Sequence, residues 1–174
     1  MNQLDLDFIE LAKKRHPLYF TKRDVLELGA QDVNGNVRGP FEDCRFVGVD
    51  WIEGKNVDVV AKGSEMKLPK RDYTVLLSAN HLEHDPEWEA TLRAGLAAMK
   101  DGSLILLRWA SRQSAAHGPE FDPHGKLGYY AKDIPEVQDF LIAEGIAIDL
   151  TYYDQNPCIG RMANLIACKG NLEL

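Results

Sequence analysis

The chain has 174 residues and a formal net charge of -7 at pH 7, with 20 basic residues against 27 acidic ones. This length predicts one domain, residues 1–174, and the acidic balance excludes a nucleic-acid partner, because phosphate backbones select clustered Lys and Arg. The first fifteen residues include early acidic side chains and no long apolar block, so we expect neither a signal peptide nor a membrane partner and predict a cytoplasmic protein.

The first predicted element is a leading helix over residues 1–16. Leu4, Phe8 and Leu11 fall at helical spacing. Acidic side chains near the start and basic ones near the end complement the helix dipole. We therefore expect one amphipathic helix ahead of the first strand.

Two short apolar strands follow, over residues 24–28 and 46–50, and the first runs directly into Gly29. Continuous apolar runs of this kind are typical of parallel strands buried on both faces. Gly29 then forms a turn at the carboxyl edge of the sheet. Asp50, which ends the second strand about twenty residues later, is positioned to bind both hydroxyls of a ribose. This spacing predicts a nucleotide-type cofactor site.

A third strand is predicted over residues 57–60. Only residues 51–56 separate it from the second strand. A parallel crossover with a helix needs roughly a dozen residues or more. We therefore expect either an irregular pairing of the third strand or the loss of the crossover helix.

The second half of the chain alternates strands and helices, which indicates an α/β sheet. Strands are predicted over residues 73–78 and 103–109. Between them we expect a helix that Asp85 caps and Pro86 begins. Its buried face comprises Trp88, Leu92, Leu96 and Met99.

An irregular stretch over residues 110–130 follows the fifth strand. Loops of this length in compact domains are more often functional than idle, so we predict a substrate loop. Asp133 and Glu136 then form a capping box for a further helix. Residues 146–153 and 162–168 are predicted to close the sheet as an antiparallel pair.

No metal site is predicted from the sequence. The three cysteines have no CxxC spacing and are interpreted as packing residues: Cys44, Cys158 and Cys168. His81 and His84 are three residues apart and share a helix face, but two histidines without a third ligand do not make a site.

Four motifs, in this order, resemble those of the class I S-adenosylmethionine-dependent methyltransferases, specifically the small type 11 like group. They are Val25-Leu26-Glu27-Leu28-Gly29, Val49-Asp50, Ser78-Ala79-Asn80-His81-Leu82-Glu83-His84 and Lys100-Asp101-Gly102-Ser103-Leu104. The match runs over residues 24–109 and more weakly to residue 168. The resemblance implies a Rossmann-like, doubly wound α/β fold. Its seven-stranded sheet would be mostly parallel with an antiparallel last strand, with helices on both faces and S-adenosyl-L-methionine as cofactor.

The glycine-rich loop departs from the family pattern. Gln31 and Val33 occupy its second and third glycine positions, and Gly35 arrives late. A dinucleotide needs the second glycine for close approach of the pyrophosphate, whereas S-adenosylmethionine has no phosphate. The change therefore argues against an NAD oxidoreductase, for which the Tyr-x-x-x-Lys pair is also missing.

The resemblance also implies roles for individual residues. Glu27, an acid on a buried strand, would hold the methionine amine of the cofactor; a structural salt bridge is its alternative, because a buried carboxylate needs a partner. Asp50 would bind the ribose. The other expected cofactor-binding residues are Gly29, Ala30, Gln31, Trp51, Ser64, Glu65, Met66, Ser78, Ala79, Asn80 and His81.

The acceptor is expected to meet the histidines beyond strand 4 and in the loop after strand 5. His84, His117 and His124 are the candidates for removing a proton from an acceptor hydroxyl. The predicted function is methyl transfer to a small-molecule or glycan acceptor by in-line displacement. The alternative is a catalytically inactive cofactor-binding or interaction module with the same fold, which the altered glycine loop motivates.

Overall fold

The computed structural model of the protein describes residues 3–117 and 128–171, and their strands form one seven-stranded sheet. The strands are β1 (Asp24–Leu28), β2 (Arg45–Asp50), β3 (Val59–Val60), β4 (Tyr73–Ala79), β5 (Met99–Ala110), β6 (Ala147–Asn156) and β7 (Gly160–Lys169). Their order across the sheet is β3-β2-β1-β4-β5-β7-β6. β1 to β5 pair in parallel, whereas β7 is antiparallel to both β5 and β6. The predicted mixed seven-stranded sheet is confirmed.

Helices cover both faces of this sheet. α1 (Gln3–Arg15) packs on one face, and α2 (Trp88–Ala98) and α3 (Ile134–Ala143) pack on the other. Because side chains of a strand alternate between faces, the strands supply both cores. The α1 core includes Phe8, Ile9, Val25, Val75 and Leu104, and the α2–α3 core includes Leu26, Leu76, Leu92, Leu96, Val137 and Leu141. The fold is therefore the Rossmann-like arrangement predicted from the sequence.

The face that α1 covers lacks the usual crossover helices. The described segment between β1 and β2 contains no helix, and β3 follows β2 after a short turn with the regular parallel pairing Val49 to Val59. The sequence left two possibilities for β3, and the structure shows the second: the pairing of β3 is regular, and the crossover helix between β2 and β3 is missing. Aromatic rings occupy this side instead: Phe41 stacks on Phe20 at 4.4 Å and meets Phe46 edge-on at 5.5 Å between ring centroids.

The start of α2 differs from the prediction. The helix begins at Trp88, and its N-cap is Glu87 rather than Asp85. The Asp85 carboxylate instead accepts a hydrogen bond from the Glu87 backbone at 2.7 Å and lies 3.6 Å from His81 Nε2. Asp85 therefore closes a turn two residues ahead of the N-cap Glu87, and the predicted cap was wrong.

The C-terminal elements follow the sequence pattern closely. Asp133 and Glu136 form the predicted capping box of α3. β6 and β7 pair along nearly their whole length, which confirms the closing antiparallel pair. Within the described residues, no helix combines the length and apolar character needed to cross a bilayer.

Candidate functional site

A cavity of about 550 Å³ opens at the carboxyl edge of the sheet, where the strand order reverses between β1 and β4. Open α/β sheets bind ligands at this position, and the volume suits a small molecule. Two sets of residues face each other across it. The β1–β2 wall comprises Gly29, Gln31, Asp50, Trp51 and Ile52. The β4–β5 wall comprises Ala79, Asn80, His81, His84 and His117.

Gly29 forms the bend at the end of β1. Its φ is +71°, in the left-handed region, and the backbone amides of Gly29 and Ala30 both donate to Val49 O, at 2.9 and 3.1 Å. A Cβ at Gly29 would lie 2.4 Å from the Cβ of His81. Only glycine fits this position, because backbone conformation and space both exclude a side chain. The two walls touch at this point, while Gly29 still lines the cavity.

Backbone amides hold the carboxylate of Asp50 at the end of β2. Gln31 N donates to Oδ2 at 3.1 Å, and Ile52 N donates to Oδ1 at 3.1 Å. A carboxylate oxygen has two acceptor sites, so each oxygen can take a further hydrogen bond from a ligand in the cavity. The position of Asp50 is thus fixed before any ligand binds.

Asp32 organises the loop that replaces the glycine-rich pattern. Its carboxylate accepts hydrogen bonds from Gly35 N and Asn36 Nδ2, both at 2.8 Å, and pairs with Lys55 Nζ at 2.8 Å. The hydrogen bond from Lys55 is the main reason why the pKa of Asp32 is lowered. The sequence prediction did not assign Asp32 a role. The Asp-x-Asn-Gly-Asn turn composition of residues 32–36 is the local signal for it.

Glu27 is absent from the cavity lining. Its buried carboxylate lies 2.6 Å from Arg38 Nη2 and accepts a hydrogen bond from Arg38 Nε at 2.7 Å. Burial raises the pKa of Glu27, and the Arg38 guanidinium opposes that rise. The structure shows the salt bridge that is the alternative to a contact between Glu27 and the cofactor amine. Arg38 lies in the irregular segment between β1 and β2, whose path the sequence does not predict.

The remaining predicted cofactor residues divide into two groups. Those that line the cavity are Gly29, Gln31, Asp50, Trp51, Ser64, Ala79, Asn80 and His81. Those that the structure places elsewhere are Ala30, Glu65, Met66 and Ser78, in addition to Glu27. Ala30 and Ser78 are buried, Glu65 is exposed, and Met66 packs against the core. A strand or loop position alone did not reveal which way these side chains point.

The first residues after β4 adopt a constrained backbone. Asn80 has φ +58°, and its amide donates to Arg108 O at 2.9 Å. Its Oδ1 is buried and has no hydrogen-bond partner among the described residues. Non-glycine residues in the left-handed region are uncommon and cluster at functional sites. Asn80 therefore marks the β4–β5 wall as a place where backbone strain and an unpaired polar atom coincide.

His84 and His117 stand together on this wall, backed by Glu83. The two imidazoles are perpendicular, with centroids 5.2 Å apart, and the ring of Tyr129 is 5.2 Å from that of His117. Glu83 is fully buried behind them, and its Oε1 lies 3.9 Å from His117 Nε2. Burial raises the pKa of Glu83; burial, with the nearby charges of His117 and His81, lowers the pKa of His84 to about 4. His84 is therefore neutral at pH 7.

The third predicted histidine, His124, lies outside the described residues, as does most of the predicted substrate loop over residues 110–130. The flanking part of that loop is well anchored. Tyr130 N donates to Glu83 O at 2.6 Å, and Lys132 Nζ donates to Leu82 O at 2.6 Å. These bonds fix the turn that carries Glu83 and His84.

Arg108, near the end of β5, is part of the structural core rather than of the cavity. Its guanidinium is buried and bonded to Asp5 and Asp154, both at 2.7 Å. The sequence could not place these acids, because Asp5 lies in α1 and Asp154 in β6, far along the chain. Arg108 thus ties α1 to the sheet.

No protein-family model and no curated protein matches the sequence. The fold, in contrast, matches solved structures over nearly the whole chain. The 1,6-didemethyltoxoflavin-N1-methyltransferase of Burkholderia thailandensis, solved with S-adenosylhomocysteine, matches with a TM-score of 0.67 and 15% identity over 97% of this chain and 78% of that one.

Two further structures show how widely the fold is used. Phosphoethanolamine N-methyltransferase 2 of Haemonchus contortus, solved with S-adenosyl-L-methionine, matches with a TM-score of 0.70 and 12% identity over 95% of this chain and 52% of that one. The 4+2 cyclase SpnF matches with a TM-score of 0.68 and 13% identity over 95% of this chain and 81% of that one. At such identities, the likeness establishes the fold. The chain has the fold of the class I S-adenosylmethionine-dependent methyltransferases.

Proposed function

We propose that the protein binds S-adenosyl-L-methionine in this cavity and transfers its methyl group to a small-molecule or glycan acceptor. The observation that carries the proposal is the pairing of Gly29 and Asp50 at one cavity edge. Gly29 offers a bend without a side chain, and Asp50 offers a carboxylate with free acceptor sites. That combination suits a ribose beside Asp50 and the methionine chain of the cofactor beside Gly29.

The altered glycine loop is compatible with this ligand. The side chain of Gln31 lies against Gly54, where an added Cβ would be 2.8 Å from Gln31 Cγ, so it builds the side of the cavity. S-adenosylmethionine carries no phosphate, so no second glycine is needed for a close backbone approach. We assign the ribose to Asp50, the adenine side to Trp51 and Ser64, and the methionine portion to the Gly29 bend beside Ala79 and Asn80.

When bound, S-adenosylmethionine supplies a methyl group already activated by a sulfonium. The protein must then align the acceptor and exclude water, since positioning is the main source of rate in such a displacement. We assign contact with the acceptor to His84 and His117, which line the cavity on the wall opposite Asp50. His124 remains a prediction from the sequence.

A non-catalytic binding module is the second candidate function. One feature favours it: Gln31 and Val33 replace two glycines of the family loop. Both candidate functions are compatible with binding of S-adenosylmethionine, because an inactive module can keep its ligand. A cavity that binds no adenosyl compound is compatible only with the module.

Calorimetric titration with S-adenosylmethionine and S-adenosylhomocysteine tests the proposal. We expect wild type to bind both ligands and Asp50→Ala to bind them at least about tenfold more weakly, a loss of about 1.4 kcal/mol. Asp72→Ala is the matched control, because Asp72 is largely exposed and pairs with Lys100 at 3.0 Å outside the cavity. Unchanged affinity in Asp50→Ala would remove the ribose assignment, and no binding by wild type would favour the module.

A further inference from the structure

A buried acid without a full set of partners lies behind the β4–β5 wall. Glu83 is completely buried, and its Oε1 accepts a hydrogen bond from Ala110 N at 3.2 Å. Its Oε2 has no hydrogen-bond partner among the described residues. Lys132, the nearby amine, directs its bonds to the carbonyls of Leu82 and Tyr130, both at 2.6 Å. A buried carboxylate in this state is costly unless a cation meets it.

Two imidazoles lie near this carboxylate. His117 Nδ1 lies 2.9 Å from Ala115 O, and because a carbonyl only accepts, Nδ1 carries the proton. Nε2 is the other ring nitrogen, and it is the atom 3.9 Å from Glu83 Oε1. A backbone carbonyl that fixes the tautomer in this way is a regular feature of histidines that bind metals. His84 Nδ1 is buried and also has no hydrogen-bond partner among the described residues.

We propose that Glu83, His84 and His117 form a binding site for one divalent transition-metal ion. One ligand atom from each residue lies within 4.8 Å of the other two. Metal bonds of about 2.0–2.2 Å set ligand separations of about 3.3 Å in a tetrahedral site. Binding therefore draws these atoms together by at most about 1.5 Å, while the Leu82–His84 turn stays anchored.

The ligand types select the ion. Two imidazoles and one carboxylate suit Zn²⁺, Co²⁺ or Fe²⁺, whereas Mg²⁺ and Ca²⁺ prefer sites made of oxygen atoms. Three protein ligands leave at least one coordination position open. That position faces the cavity, because His84 and His117 line it while Glu83 lies behind them.

The site narrows the acceptor class, an extension that rests on the proposed function. A divalent ion binds an acceptor oxygen and lowers the pKa of a hydroxyl bound to it. The two histidines then act as ligands that hold the ion, and the hydroxyl proton leaves to solvent. We therefore assign an oxygen acceptor, a hydroxyl on a small molecule or sugar, to this cavity.

The test measures metal binding directly, without the methyl donor. Untagged protein is stripped with a chelator and titrated with Zn²⁺ by calorimetry and with Co²⁺ by visible absorption. We expect one equivalent of either ion per chain and no comparable binding of Mg²⁺. Glu83→Gln and His117→Ala should each lower the affinity at least about 100-fold, because loss of supporting partners alone costs up to about that factor.

His16→Asn is the matched control, because His16 pairs with Asp149 at 2.9 Å outside the cavity. The His16→Asn variant should bind both ions with the affinity of the wild type. Circular dichroism checks that Glu83→Gln is folded, and His117→Ala provides a second variant at the cavity surface. Absence of Zn²⁺ and Co²⁺ binding by wild type, or wild-type affinity in both folded variants, would overturn the metal site. Titration of the same samples with S-adenosylhomocysteine tests the proposed function separately, because Asp50 is not part of the metal site.

Discussion

The two walls of the cavity differ in how their polar groups are paired. On the β1–β2 wall, backbone amides hold the Asp50 carboxylate at 3.1 Å on each oxygen, and Asp32 fixes the loop beside it. On the β4–β5 wall, Asn80 Oδ1 and His84 Nδ1 are buried without hydrogen-bond partners among the described residues, and so is Glu83 Oε2 directly behind the wall. One wall is complete as it stands, whereas the other has unpaired groups that a ligand or ion would satisfy.

This difference matches the two roles that we propose for the walls: the β1–β2 wall binds the cofactor, and the β4–β5 wall contacts the acceptor. The β1–β2 wall can bind the cofactor with little rearrangement, because its polar groups are already held in position by hydrogen bonds. An unsatisfied wall is costly to the fold, and such a cost is typical of functional sites. We therefore expect changes at the junction of the walls, and in the residues that support the β1–β2 wall from behind, to lower stability, and changes remote from both walls to have small effects on binding.

The largest expected effect is at the junction of the walls. Gly29→Ala places a Cβ 2.4 Å from that of His81 at a φ of +71°. We expect the free energy of unfolding to fall by about 3 kcal/mol, as left-handed strain and overpacking add. Gly39→Ala is the control, because nothing lies within 4 Å of its added Cβ. Urea denaturation measures both, and equal stability of the two variants would show that the walls do not meet here.

The next effect concerns the support of the β1–β2 wall. Arg38→Met removes the only ion-pair partner of the buried Glu27 among the described residues, so we expect a loss of about 2 kcal/mol at pH 7. Arg45→Met should cost less than about 1 kcal/mol, because Arg45 is exposed and Asp24 retains Arg71 at 3.4 Å.

The pH dependence of the Arg38→Met variant checks the cause. Without the guanidinium, burial raises the pKa of Glu27 further above its unfolded value. A group with a raised acid pKa takes up its proton in the folded state, so its stabilising contribution is lost as pH rises. The stability deficit relative to wild type should therefore be smaller at pH 5 than at pH 7. A deficit that is constant across this range would contradict the ion-pair account.

The smallest effect lies away from both walls. Arg15 and His16 bond to Asp149 at 2.8 and 2.9 Å and lower the pKa of that carboxyl to about 2, from 3.8. The stabilisation is present above pH 4 and is lost as pH falls toward 2. Because the pair is partly exposed, Asp149→Asn should cost about 1 kcal/mol at pH 6 and less at pH 3. Urea denaturation measures this cost, and cofactor affinity should not change.

The sequence predicted the features that depend on local pattern. Apolar runs located the strands, the Asp133 and Glu136 spacing located a helix cap, and Gly29 and Asp50 were placed at the correct sheet edge. Each of these follows from residues that are neighbours in the chain. The fold was predictable to that extent because the alternation of elements leaves few arrangements of a parallel sheet.

Side-chain partnerships between distant segments were not predictable in the same way. The partner of Glu27 is Arg38 in an irregular loop, and Asp85 turns toward its own backbone instead of capping α2. The grouping of Glu83 with His117 requires the loop after β5 to return over the turn after β4. A sequence pattern records periodicity, whereas these contacts depend on how loops cross the sheet edge.

A crystal structure of the protein with S-adenosylhomocysteine tests the central claim most directly. We expect the ribose hydroxyls within hydrogen-bond distance of the Asp50 carboxylate and the amino-acid portion of the ligand over the Gly29 bend. The ligand sulfur should then point toward His84 and His117. A ligand bound elsewhere, or one that leaves the Asp50 carboxylate without contact, would contradict the account.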